Sequence, residues 1–266
     1  MDIKKIGVIG CGKMAGAILE GVVKNKFISG DRIFVYDVNN DSSKILKEKF
    51  NFQVVSSIKE IFEVSDFVLI ATKPFVINDV LNEIKVCYNG QLVASIAAGV
   101  KIDKYLSFVN NMKIVRIMPN TPALVNLGMS AVCKSDNVNN DEFEYVYSFM
   151  QNCGQVIKTT EDKMDVITAL SGSGPAYYYK IIELMAMSAH KLGLDYKQAL
   201  LLSAQTALGS AKMVIENDFN INQLIKNVTT PGGCTEVGNN VLNNSNINEI
   251  IYKTIYDTMN KAIELG

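Results

Sequence analysis

IKKIGVIGCGKMAGAILE, residues 3–20, passes from an apolar run through a glycine turn into a stretch of strong helix formers. The order strand, turn, helix is what gives a G-x-G-x-x-G/A pattern its meaning, and Gly10, Gly12 and Ala15 fill the three positions here. Gly10 permits the tight turn, Gly12 removes a side chain where a pyrophosphate must approach, and Ala15 lets the helix lie close on the strand. The helix start then offers N–H groups and the positive end of a dipole to a phosphate. The stretch predicts the opening βα unit of a sheet that binds a dinucleotide.

Outward from that unit, RIFVYD, FQVV, DFVLIAT, QLVASIA, KIVRIM, MSAVCK and QVIKT alternate with longer amphipathic segments up to about residue 160. This rhythm predicts an α/β domain over residues 1–160, a Rossmann-type doubly wound, mostly parallel sheet. Beyond it, helical patterns near 163–191, 195–217 and 246–265 predict an all-α domain over residues 161–266. VTTPGGCTEVGNN, residues 228–240, interrupts that helical half with a polar, glycine-rich break.

Composition narrows the function. The 266 residues carry 26 Lys plus Arg against 27 Asp plus Glu, a net charge of −1, and no basic block offers a track for nucleic acid. No run approaches eighteen apolar residues, so no membrane partner is expected, and the chain enters its first strand too early for a signal peptide, which points to the cytoplasm. The five cysteines are scattered without a C-x-x-C pair and are read as reduced thiols; with one histidine, His190, no metal site is expected. His190 is expected to be a partly buried structural residue.

The second strand ends in Asp37, about twenty residues past the glycine turn, where an acidic side chain accepts from a ribose hydroxyl and repels a 2′-phosphate. That favours NADH over NADPH, while Asn39 and Asn40 could turn an amide to the same place. All five prolines fall in ATKPF, MPNTP, SGSGP and TTPGG, at expected strand ends or helix starts, and ligands of open parallel sheets bind beyond the carboxyl ends of strands. Lys73 and Pro74 follow the fourth strand. Ala97, Ala98 and Gly99 follow the fifth and leave room for a flat ring.

GCGKMAGAI, ATKPF, SIAAGV, RIMPNTPALVNLGMSAV, ALSGSGPAYYY and VTTPGGCTEVG occur in this order along nearly the whole chain, which resembles the pyrroline-5-carboxylate reductases. The resemblance implies reduction of Δ1-pyrroline-5-carboxylate to L-proline with NADPH or NADH, the last step of proline synthesis. It implies a helical dimerisation domain interleaved between two chains, giving a homodimer that often assembles further into a decamer. The cofactor contacts it implies are Gly10, Cys11, Gly12, Lys13, Met14, Asp37, Asn39, Ala71, Thr72, Lys73, Pro74, Ala98, Gly99 and Asn120. The substrate contacts it implies are Ser173, Thr230, Gly232, Gly233, Cys234 and Thr235. Many members carry Ser, Thr or Asn at the position of Asp37 and Asn near that of Ser57, which leaves coenzyme preference open.

A protonated imine needs a hydride at carbon and a grip on its carboxylate, and no strong protein acid. Gly232 and Gly233 are expected to turn successive N–H groups towards that carboxylate, with Thr235 as the catalytic contact to the ring nitrogen and Cys234 as a spacer. A β-hydroxyacid dehydrogenase would want Lys after the glycine-rich helix start and Asn four residues on; Lys180 is followed by Leu184. A nucleotide sensor without turnover would be expected to have a damaged TTPGGCT, and it is intact.

Overall fold

The computed structural model describes residues 3–217 and 220–265, apart from the side chain of Asn40 and the amide expected there. Eight strands form one sheet: β1 (Ile6–Ile9), β2 (Ile33–Tyr36), β3 (Gln53–Val54), β4 (Phe67–Ile70), β5 (Leu92–Ser95), β6 (Lys113–Met118), β7 (Gly128–Lys134) and β8 (Gly154–Lys158). Their order is β3-β2-β1-β4-β5-β6-β7-β8, with β6 and β7 antiparallel and every other pairing parallel. The crossover from β3 to β4, past β2 and β1, creates the switch point at which open α/β sheets bind ligands.

The central strands β1, β4 and β5 are apolar on both sides because helices cover both faces, whereas the edge strand β3 is exposed. Ile6, Val8, Phe67, Leu69, Leu92 and Ala94 pack with α1 (Lys13–Lys24) and α6 (Asn140–Met150). Their alternates Ile9, Val68, Ile70 and Val93 pack with α3 (Ile58–Val64), α4 (Ile77–Lys85) and α5 (Ile102–Phe108). The two-residue side-chain period of a strand thus divides the core into two layers. Helix α2 (Asn40–Phe50) precedes β3.

Packing divides the chain into two compact units, Met1–Ser173 with Thr258–Gly266, and Gly174–Asp257. The border falls after Ser173, beyond the change of rhythm near residue 160, because the intervening segment grips the sheet. Arg116 on β6, almost wholly buried, pairs with Glu161 at 3.1 Å and Asp165 at 3.6 Å. The segment continues as α7 (Met164–Ile167) and a π-helical turn, Thr168–Gly172.

The second unit holds α8 (Gly174–Lys191), α9 (Tyr196–Glu216), α10 (Ile221–Val228), α11 (Cys234–Asn243) and most of α12 (Ile247–Leu265). The break read at 228–240 is therefore mostly helix: α10 ends at Val228, α11 starts at Cys234, and residues 229–233 alone are turn. These helices expose apolar side chains on several sides, among them Tyr178, Leu184, Leu201, Leu208, Val241 and Tyr252. For the same reason His190 is exposed where partial burial was expected. Its Nδ1 lies 2.8 Å from the Leu194 carbonyl at the end of α8, a structural contact. No described helix is long and apolar enough to cross a membrane.

Candidate active site

The glycine turn joins β1 to α1. Gly10 has φ +97°, and a Cβ there would come within 2.8 Å of the Ala71 carbonyl oxygen, so both conformation and space demand glycine. The Gly10 N–H donates to the Tyr36 carbonyl at 2.8 Å, which ties the turn to the end of β2. Gly12, exposed and with open space where its Cβ would stand, is the N-cap of α1; no side chain caps that helix, and its first turn holds no acidic residue. Its first N–H groups have no partner within the helix and face an approach that carries no side chain.

Asp37 closes the site from β2. One carboxylate oxygen accepts from the Cys11 N–H at 2.6 Å and the other from the Asn39 N–H at 2.8 Å. The carboxylate is thus fixed in orientation while each oxygen keeps lone pairs for a ribose hydroxyl. Asn39 is also the N-cap of α2, accepting from the Asp41 N–H at 3.1 Å, so its side-chain oxygen is committed to the helix. Cys11 is buried, and that burial, with the nearby Asp37 carboxylate, pushes its thiol up to about 12. It remains a neutral spacer at ordinary pH. Ser57 caps α3 by accepting from the Glu60 N–H at 3.1 Å.

The turns after β4 and β5 complete this edge. Thr72 Oγ1 is buried without a hydrogen-bond partner among the described residues, an orphaned group at the strand end where a ligand would supply one. Lys73 is exposed, and Pro74 starts a short 3₁₀ turn. Pro74, Phe75, Ala98, Gly99, Lys104 and Thr168 line a cavity of about 510 Å³. The AAG turn is held from beneath, since the Ser95 hydroxyl accepts from Tyr105 at 2.6 Å and from the Ala97 N–H at 3.2 Å. Sequence reasoning missed this pair; Tyr105 sits in an amphipathic stretch where an aromatic reads simply as core.

The fold brings Gly10 to Met14, Asp37, Asn39, Ala71 to Pro74, Ala98 and Gly99 together at the carboxyl ends of β1, β2, β4 and β5. Asn120, expected as a cofactor contact, is tied into the fold at both ends of its amide: its Oδ1 accepts from the Met129 N–H at 2.8 Å and its Nδ2 donates to the Ser171 carbonyl at 3.2 Å. Ser173 follows the π-helical turn, its N–H donating to the Thr168 carbonyl at 2.9 Å.

In the second unit, Thr230 to Gly233 form a β-turn closed by the Gly233 N–H donating to the Thr230 carbonyl at 2.9 Å. Pro231 and Gly232, with φ +73° at Gly232, suit the two central positions of a type II turn. The Gly232 N–H donates to the Glu236 carboxylate at 2.7 Å. Both glycine N–H groups are therefore consumed locally, contrary to the expected nest. The glycines shape the turn, and the uncapped donors are the first N–H groups of α11, those of Cys234 and Thr235. Both side chains are exposed.

Comparison with known proteins adds two family models and close relatives. The model described as pyrroline-5-carboxylate reductase dimerisation matches residues 161–265, and that of NADP oxidoreductase, coenzyme F420-dependent, matches residues 5–99. The pyrroline-5-carboxylate reductase of Methanosarcina acetivorans is 34% identical over 100% of this chain and 99% of its own length. A solved structure of that reductase from Coxiella burnetii superposes with TM-score 0.94 at 35% identity, over 99% of this chain and 98% of that one. The Plasmodium falciparum pyrroline carboxylate reductase, solved with NADP bound, gives TM-score 0.87 at 33% identity, over 100% and 98%.

Proposed function

The chain belongs to the pyrroline-5-carboxylate reductase family, and we propose from that premise that it reduces Δ1-pyrroline-5-carboxylate to L-proline with NADPH or NADH. What supports the reading most is an uncapped glycine turn without obstructing side chains in the same chain as an intact TTPGGCT at a helix start. Residues 1–160 are assigned the dinucleotide and residues 161–266 the substrate and dimerisation. The chain works as a homodimer, with a decamer as the higher assembly, and in the cytoplasm.

The residues present fit a dinucleotide, as the bare approach at Gly12 and the orphaned Thr72 hydroxyl attest. Gly10, Gly12, Lys13 and Met14 would hold its pyrophosphate, Cys11 would fill the turn, and Asp37 beside Asn39 would take the ribose. Ala71 to Pro74 with Ala98 and Gly99 would flank the nicotinamide end. When bound, the nicotinamide supplies the hydride. The N–H groups of Cys234 and Thr235 bind the substrate carboxylate at the positive end of α11, on the turn shaped by Thr230, Gly232 and Gly233. The Thr235 hydroxyl meets the ring nitrogen, and Ser173 lines the substrate side. A substrate that enters as the protonated imine brings its own proton, in keeping with a site that uses neither His190 nor an activated thiol.

The dehydrogenase alternative finds no support: Lys180 is paired with Glu183 at 2.7 Å, and the position four residues on is Leu184. The proposed roles are tested with Thr235→Ala, for which the KM of the imine should rise about tenfold while the NADPH dissociation constant holds, the loss expected of one hydrogen bond to a charged group. An effect confined to NADPH affinity would remove Thr235 from the substrate site.

A further inference from the structure

Strand β6 points Ile114, Arg116 and Met118 to one face, and the extended chain carries Asn120 beyond them at the same alternation. Three of these four residues hold one segment. Arg116 pairs with Glu161 and Asp165 at the segment's start. At its end the Met118 Sδ–Cε tip packs so closely on Gly172 that a Cβ there would lie 2.1 Å from Cε. Asn120 donates to the Ser171 carbonyl at 3.2 Å, with Ser171 Oγ at 3.4 Å. Between these grips the helix widens into a π turn, marked by the Ser173 N–H reaching back five residues to the Thr168 carbonyl.

The sequence explains why a side chain is needed there. In α-helical register the Ser171 carbonyl would accept from the N–H of residue 175, and residue 175 is proline. Nδ2 of Asn120 supplies the donor that Pro175 lacks, while its Oδ1 is anchored by the Met129 N–H at the start of β7. An asparagine meets both demands, because one end of its amide accepts and the other donates.

We propose that Asn120 is a positioning residue: it replaces the donor missing at Pro175, fixes the π turn Thr168–Gly172 against β6, and thereby sets where Ser173 stands in the substrate site. The setting of Ser173 rests on the function proposed above; the clasp itself does not. Amide hydrogen exchange and kinetics of Asn120→Ala separate the two. Exchange across residues 168–176 should quicken about tenfold and the imine KM rise about tenfold, with the NADPH dissociation constant within about twofold of wild type, since the turn loses the donor to the part-buried Ser171 carbonyl and hydroxyl. Adding Pro175→Ala to that variant restores a backbone donor and should return exchange and KM most of the way to wild type.

Unchanged exchange in Asn120→Ala, or no recovery in the double variant, would overturn the clasp. Loss of NADPH affinity with exchange and KM intact would return Asn120 to the cofactor. If Asn120→Ala does not fold, Asn120→Asp keeps the acceptor for Met129 and removes the donor, and its exchange is read in the same way. Exchange is measured without substrate, so a wild-type protein that failed to reduce the imine would end the proposed function and leave the clasp to be judged on exchange alone.

Discussion

Asp37 carries two tasks at once. Its carboxylate holds the glycine turn through Cys11 and its own loop through Asn39, and it also occupies the place where a ribose hydroxyl or a 2′-phosphate would come. Replacing it with serine removes a repelling charge and loosens the turn. Asp37→Ser should weaken NADH and move the ratio of kcat/KM for NADPH over NADH upward by about tenfold, the scale of one charge contact partly screened by water. Paired steady-state assays with the two coenzymes read this, and an unchanged ratio would take Asp37 out of coenzyme choice. Its position was legible in the sequence because distance along a βα unit fixes it. Its bond to Cys11 was not, since the partner is a backbone N–H that no residue pattern announces. Asn120 shows the same limit: its side chain meets Ser171, fifty-one residues away in sequence.

At the scale of elements, apolar runs bounded by turns located all eight strands, since even the exposed edge strand β3 lies within one, FQVV. The antiparallel β6–β7 pair left no such mark, as the residues between, Thr121–Val125, form a compact 3₁₀ turn instead of a crossover helix. The TTPGGCT break was legible as a special turn; the flanking α10 carries apolar residues at helical spacing, Ile221, Leu224, Ile225 and Val228, while the polar CTEVGNN of α11 hid that helix's start. The turn's chemistry is where sequence and structure diverge: glycines expected to present N–H groups spend them on Thr230 and Glu236. Gly232→Ala tests that reading. With φ +73° and open space around the missing Cβ, the strain is conformational, about 1 kcal/mol. The imine KM should rise with little change in NADPH affinity, and a variant indistinguishable from wild type in both would deny the turn its part in shaping the site.

For the whole molecule, the distribution of burial is uneven. The sheet and its helices bury a complete core, whereas α8 to α12 bury few side chains and expose Leu201, Leu208, Val241 and Tyr252. Helices apolar on more than one side need a second surface, and the dimerisation model matched over residues 161–265 says which kind, a further copy of the chain. Leu201→Glu with Val241→Glu should shift the sedimentation profile towards monomer and lower the thermal midpoint at low protein concentration, because each buried leucine-sized side chain contributes roughly 2 kcal/mol. Association unaffected by both charges would place the interface elsewhere on these helices. The central claim is tested most directly by supplying Δ1-pyrroline-5-carboxylate and following coenzyme oxidation and proline formation in the same reaction, once with NADPH and once with NADH. The account predicts one proline formed for each coenzyme oxidised, with at least one of the two; no turnover with either, or oxidation without proline, would contradict it.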